Sequence, residues 1–89
     1  VKNHKCKSWV PFFDAIKKGD KKHDLRIDDR GFQVGDTITL QSYDPFAGKY
    51  TGEEIDVKIT YITSAVTPCA FSSAVLDKKY CILSLELLK

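Results

Sequence analysis

Apolar positions in VPFFDAIKKGD, residues 10–20, recur at helical spacing. Phe12, Ala15 and Ile16 stand at i, i+3 and i+4, along one face of a helix. Pro11 suits the first turn, where its missing N–H leaves no bond unmade. Lys17 and Lys18 oppose the negative end of the helix dipole, and Gly19 can take the left-handed position that ends a helix. The pattern predicts one helix over residues 10–18.

On either side the period is two, the mark of strands. Residues 4–9 predict a short strand with Cys6 inward. In residues 22–27, His23, Leu25 and Ile27 share one face, while Lys22, Asp24 and Arg26 share the other. The apolar set is expected to point inward, making His23 a satisfied core group rather than a ligand. Asp28 to Gly31 is a turn by composition, and Phe32 and Val34 lead to a second turn at Gly35-Asp36. Thr37 to Gln41 alternates with Ile38 and Leu40 inward. Asp44-Pro45 opens a loop expected to run through Gly48 to Gly52. Ile55, Val57, Ile59 and Tyr61 alternate over a strand near residues 53–63, and Tyr80 to Leu87 reads as the last strand.

Residues 59–76 carry no charge, but Thr60, Thr63, Ser64, Thr67, Ser72 and Ser73 interrupt them and Pro68 breaks them. A spanning helix needs about 20 mainly apolar residues, so a membrane segment is rejected. Within that stretch, residues 64–76 are ambiguous. Closure of a barrel is the ordinary reading, and a docking surface for a protein partner, through Val66, Phe71, Val75 and Leu76, is the other. The sum is five or six strands and one helix, a mainly β (α+β) fold. Curling into a small β-barrel removes exposed sheet edges, with the helix capping one open end through Phe12 and Ile16.

At 89 residues the chain makes one domain. It buries roughly 60–65% of its unfolded surface, leaving little room for a deep enzyme cavity beside the core. With 43% hydrophobic and 29% charged residues, it is neither disordered nor a disulfide-dense scaffold. The three cysteines, Cys6, Cys69 and Cys81, form no CxxC pair, so zinc-ribbon and redox-motif readings lack support. They read as small buried thiols in a reducing cytoplasm. The first ten residues hold three Lys and no long apolar run, unlike a signal peptide. The chain begins at Val1 and has no Met, as after removal of an initiator or trimming.

The net charge of +2 hides an asymmetry. Residues 1–30 hold nine Lys/Arg against five Asp, whereas residues 31–89 hold five against seven acids. The basic third can meet a polyanion. No phosphate-loop, dinucleotide or nucleophile-elbow motif occurs, and His4 and His23 lack the spacing of a metal pair. No metal or cofactor is implied.

The most informative segment is Gly19-Asp20-Lys21-Lys22-His23-Asp24-Leu25-Arg26. A glycine that ends a helix turns the chain sharply into a strand. Lys21, Asp24 and Arg26 then bring a cation, a carboxylate and a guanidinium to one corner, able to bind phosphate, ribose or a base edge. A weak surface ion-pair ladder is the alternative. This helix–GxKxxxxR corner resembles the ASCH superfamily, whose fold is a PUA-like β-barrel. His4 to Lys7, Pro11-Phe12-Phe13, Asp29-Arg30, Phe32 to Asp36, Asp44-Pro45 and Tyr50-Thr51-Gly52 resemble, more narrowly, the DUF3850 subfamily of bacteria and their phages. The likeness covers about residues 4–63. Lys22 and Asp24 stand where that family commonly has Thr and Glu, and Asp28 where it has Asn.

The resemblance implies a cleft between helix and barrel that binds RNA or a modified nucleoside. Lys21 and Arg26 would hold phosphate or a carbonyl, and Asp24 would accept from a base or ribose hydroxyl. Arg30 would brace the turn or contact backbone, and Lys7 and Lys22 would add charge. Trp9, Phe13 and Phe32 are candidate stacking platforms, weighed against places in the core. Some ASCH-like proteins resemble amidohydrolases that deacylate modified cytidine with a Lys, a Thr and a Glu. Here Lys21 matches the Lys and Asp24 replaces the Thr. The later acid would fall in residues 64–76, which contain none. An Asp24–Lys21 pair acting on water is the remaining hydrolytic reading.

Overall fold

The computed structural model describes residues 1–88. The side chains of Ser72 and Ser73, named above among the polar interruptions, lie outside the described residues. The elements are β1 (Asn3–Trp9), α1 (Val10–Lys18), β2 (His23–Ile27), β3 (Thr37–Asp44), β4 (Lys49–Ser64), α2 (Ser72–Val75) and β5 (Tyr80–Leu87). Helix α1 and strand β5 have the predicted bounds. Gly19 closes α1 at φ 87°, a conformation that costs a side-chain-bearing residue. There its N–H donates to the Ile16 carbonyl, and those of Asp20 and Lys21 share that of Ala15, each at 3.0 Å.

All five strands join one sheet in the order β1-β3-β4-β5-β2. β1 and β3 run parallel, and the other neighbours are antiparallel. Cys6, Ile38, Leu40, Val57, Ile59, Cys81 and Leu83 line its concave face, and Phe13 and Ile16 of α1 close over them. Phe12, expected inward, is half exposed. The chain passes from β1 into α1 without a loop, so the strand sets the phase of the helix and turns Phe13 to the core. Cys6 and Cys81 are buried thiols. Burial raises both pKa values, that of Cys81 to about 11. Cys69, expected buried with them, is exposed.

Four strand-level expectations change. The loop after Asp44 is a tight hairpin, with Asp44 opposite Lys49 and Tyr43 opposite Tyr50. The Asp44 carboxylate accepts from the N–H groups of Phe46 and Ala47, which holds the turn. A bulge between Ile59 and Tyr61 shifts the β4 register, so Tyr61 faces solvent and Ile62 packs against the core. Residues 65–79 form no strand and do not close a barrel. They carry α2 and expose Val66, Phe71 and Val75.

The fourth change is in β2. Asp24 pairs in register with Leu83 and Arg26 with Cys81, both fully buried, so the polar pair faces inward. His23 is exposed rather than a core group, and Leu25 and Ile27 are 57% and 52% exposed. The cause is the position of the strand. β2 is one edge of the sheet and β1 is the other. The sheet curls until Arg26 Nη2 donates to the Lys7 carbonyl at 2.5 Å and Arg30 Nη1 to the Lys5 carbonyl at 2.5 Å. Two guanidinium groups therefore span a half-barrel seam where backbone bonds would close a full barrel. Inward charge on an edge strand also blocks strand addition.

At the other end of β1, Asp36 latches the chain. Its carboxylate accepts from His4 Nε2 at 2.9 Å, Lys2 N at 3.0 Å and Gln33 N at 3.1 Å. An ionised carboxylate only accepts, so Nε2 carries the hydrogen. Gly35, at φ 96°, makes the turn, and its N–H donates to the Ile59 carbonyl at 2.8 Å. The FQVGD sequence thus ties β1, β3 and β4 together. The His4 bond, followed by the Lys2 N–H, holds the Asp36 pKa at about 2 against an ordinary 3.8. A depressed acid stabilises the fold fully above the unfolded pKa and loses that contribution as pH falls through the folded one. The gap in urea midpoint between wild type and Asp36→Asn is therefore expected to be full at pH 6. It should shrink from about pH 4 and mostly close by pH 2. A gap constant over that range would remove Asp36 ionisation from the account.

Candidate functional site

The seam between the two sheet edges is a groove of about 500 Å³. β1 and the start of α1 supply Lys7, Ser8, Trp9 and Phe12 on one wall. Asp24 to Ile27, Asp29 and Arg30 form the other wall, and Phe32 and Tyr80 also line the groove. Each wall follows from local sequence. The direct β1–α1 junction leaves Trp9 and Phe12 near the surface, with rings stacked 6.3 Å apart at 19°. The Asp28–Gly31 turn places Arg30 beside β1, and Asp28 Oδ1 accepts from Phe32 N at 3.3 Å.

Lys21, Asp24 and Arg26 do meet. Asp24 Oδ2 takes Arg26 Nε at 2.7 Å, and Asp24 Oδ1 lies 3.7 Å from Lys21 Nζ. All three side chains are mostly buried. Lys21 Nζ also donates to the His23 carbonyl at 2.5 Å. Asp24 thus sits between two cations, and Asp24 and Arg26 border the groove while Lys21 does not. Lys21 and Lys22 line a separate hollow of about 350 Å³ with Ile16, Gly19 and Glu86. The expected corner therefore opens on two sides of the β2 strand.

Arg26 is held by Asp24 and the Lys7 carbonyl. Among the described residues these bonds use two of its five N–H donors. Arg30 has one such bond, to the Lys5 carbonyl, and lies 3.7 Å from Asp29. Both guanidinium groups are positioned and retain donors for phosphate or a carbonyl. Lys7 Nζ lies over the Tyr43 ring, 4.1 Å from its centroid. Of the three candidate platforms, Trp9 is 51% exposed, while Phe13 and Phe32 belong to the core. Phe32 packs edge-on against His4 at 4.8 Å.

Phe12 and Tyr80 are groove residues that sequence periodicity did not select. Periodicity places Phe12 in the core stripe of α1, and Tyr80 is an ordinary strand residue until β2 lies beside it, opposite Ile27.

Residues 3–85 match the family described as "Domain of unknown function (DUF3850)". The chain is also similar to the "Uncharacterized 12.9 kDa protein in GpA 3'region" of Escherichia phage P2, at 32% identity over 63 residues. That alignment covers 71% of this chain and 56% of the phage protein. With nearly its whole length matched, from the first strand to the last, the chain belongs to the DUF3850 family.

Proposed function

We propose that this protein is a binding module for RNA or a modified nucleotide, and that its half-barrel is a PUA-like, ASCH-type domain acting in the cytoplasm. The observation that carries the reading is the groove itself. Two guanidinium groups with donors to spare stand opposite a half-exposed Trp9–Phe12 pair. Phosphate or carbonyl recognition and base stacking are thereby offered within one 500 Å³ hollow. The sequence order supports the fold assignment: a helix follows the first strand and delivers its C-terminal glycine next to the second.

The test is a titration with short RNAs and single nucleotides at about 50 mM salt, where phosphate contacts are strongest, read by amide chemical shifts. Shifts gathered on Lys7 to Phe12, Arg26, Arg30 and Tyr80 are the expected result. No shifts with any of these ligands at that salt would sink the proposal.

A further inference from the structure

The outer face of the sheet carries an aromatic row that continues from the groove. Trp9 lies in register with Tyr43, and Tyr43 with Tyr50, so β1, β3 and β4 each carry one aromatic residue at the same level of the sheet. Neighbouring strands are about 4.8 Å apart. Trp9 and Tyr50 are about half exposed, and Tyr43 and Tyr50 meet edge to face at 5.1 Å. Lys7 sits within the row, its ammonium 4.1 Å from the Tyr43 centroid and 6.0 Å from that of Tyr50. Trp9 and Phe12 also wall a second hollow of about 520 Å³, bounded by Asp44, Pro45 and a fully exposed Phe46. Farther along the same face the residues are polar and paired with each other: Gln41 with Glu54 and Thr39 with Asp56. Trp9, Tyr43 and Tyr50 thus stand together at the end that borders the groove, while Tyr61 is a separate exposed ring farther along β4.

We infer that this row is a stacking track for single-stranded nucleic acid, and that a strand held in the seam groove runs on across Trp9, Tyr43 and Tyr50. The inference rests on the nucleic-acid reading of the groove and adds the strandedness and the reach of its ligand. Exposed Trp9 and Tyr50 rings on either side of a Tyr43 that carries the Lys7 ammonium over its face suit unstacked bases joined by phosphates. A duplex keeps its bases stacked on each other and has none to offer such a row. Two strand spacings, about 10 Å, add room for about two nucleotides beyond the one in the groove. Aromatic stacking of this kind is sequence-tolerant, because every base has a π-face.

The experiment compares uridine monophosphate, a uridine hexanucleotide and a self-complementary RNA duplex as ligands, read by quenching of the single tryptophan. Proteins are wild type, Tyr50→Ala, Tyr50→Phe and Arg30→Ala, each checked for folding by circular dichroism. The expected result is that Tyr50→Ala weakens the hexanucleotide about tenfold, the loss of one stacked base, and leaves the monophosphate unchanged. Tyr50→Phe should restore hexanucleotide binding, and the duplex should bind more weakly than the hexanucleotide. The inference is overturned if Arg30→Ala weakens the hexanucleotide while Tyr50→Ala does not, an outcome that spares the groove. Equal binding of duplex and single strand overturns it too. So does a row that serves instead as a protein interface, seen as self-association abolished by Tyr50→Ala with RNA binding intact. Failure of every RNA ligand to bind wild type takes down the groove reading and this one with it.

Discussion

Replacing Phe13 with Ala is expected to remove about 3–5 kcal/mol of stability, read as a lowered urea midpoint at unchanged slope. Phe13 is fully buried and is among the largest side chains at the centre of the core. It comes from the helix, so its removal leaves a void between α1 and the concave sheet that neither can collapse to fill. A domain of this length has on the order of 5–12 kcal/mol in total, so the variant should be close to unfolding at body temperature. Phe12→Ala, one residue away, is expected to cost about 1 kcal/mol or less, because that ring is half exposed. Equal losses from the two substitutions would mean that the helix is rotated from the position described.

The second large effect separates the two arginines of the seam. Arg26→Ala is expected to cost about 1.5–3 kcal/mol, the range for hydrogen bonds to charged groups. It strips the mostly buried Asp24 carboxylate of its 2.7 Å partner and releases the Lys7 carbonyl. Arg30→Ala should cost about 0–1 kcal/mol, since that side chain is 44% exposed and its Asp29 contact is long. For RNA binding the expectation differs. Arg30→Ala should weaken affinity across sequences and reduce the salt slope by about 0.7 per lost phosphate contact on a single strand. Arg26→Ala confounds binding with scaffolding, so a binding loss there without a stability loss would contradict its role as a staple. Parallel urea and salt titrations of the two variants decide both points.

The residues that carried the resemblance divide in an unexpected way. Gly35 and Asp36 of the FQVGD run build the junction of β1, β3 and β4 and contribute nothing to the groove, although the run begins at Phe32, which lines it. Gly19 of the helix corner is a cap, and Lys21 opens on a neighbouring hollow. Lys7, Phe12, Asp24, Arg26, Asp29 and Arg30 are the other members that line the groove.

Local pattern was enough for the parts whose cause is local. A proline, an apolar stripe, two lysines and a glycine define α1 to its terminal residues, and period-two runs locate β1, β3 and β5 because each has one face in the core. The inward faces of β1 and β3 follow for the same reason. Local pattern failed at β2, where Leu25 and Ile27 looked like the buried set. Which face of an edge strand turns inward depends on what lies across the seam, and there the carbonyls of Lys5 and Lys7 require donors. The register of β4 after Ile59 depends on a bulge, which shifts every later side chain by one face and leaves no compositional trace. The groove and the aromatic row are likewise products of pairing. Trp9 is far from Tyr43 in the chain, and the tight turn after Asp44 brings Tyr50 opposite Tyr43, so the three come together only once β1, β3 and β4 are in register. The sequence by itself determined the helix, most strands and the basic corner, since those are short-range consequences of residue type. Tertiary structure decided which charges are structural and which rings are left on the surface, because both depend on how the two edges of one curled sheet approach each other.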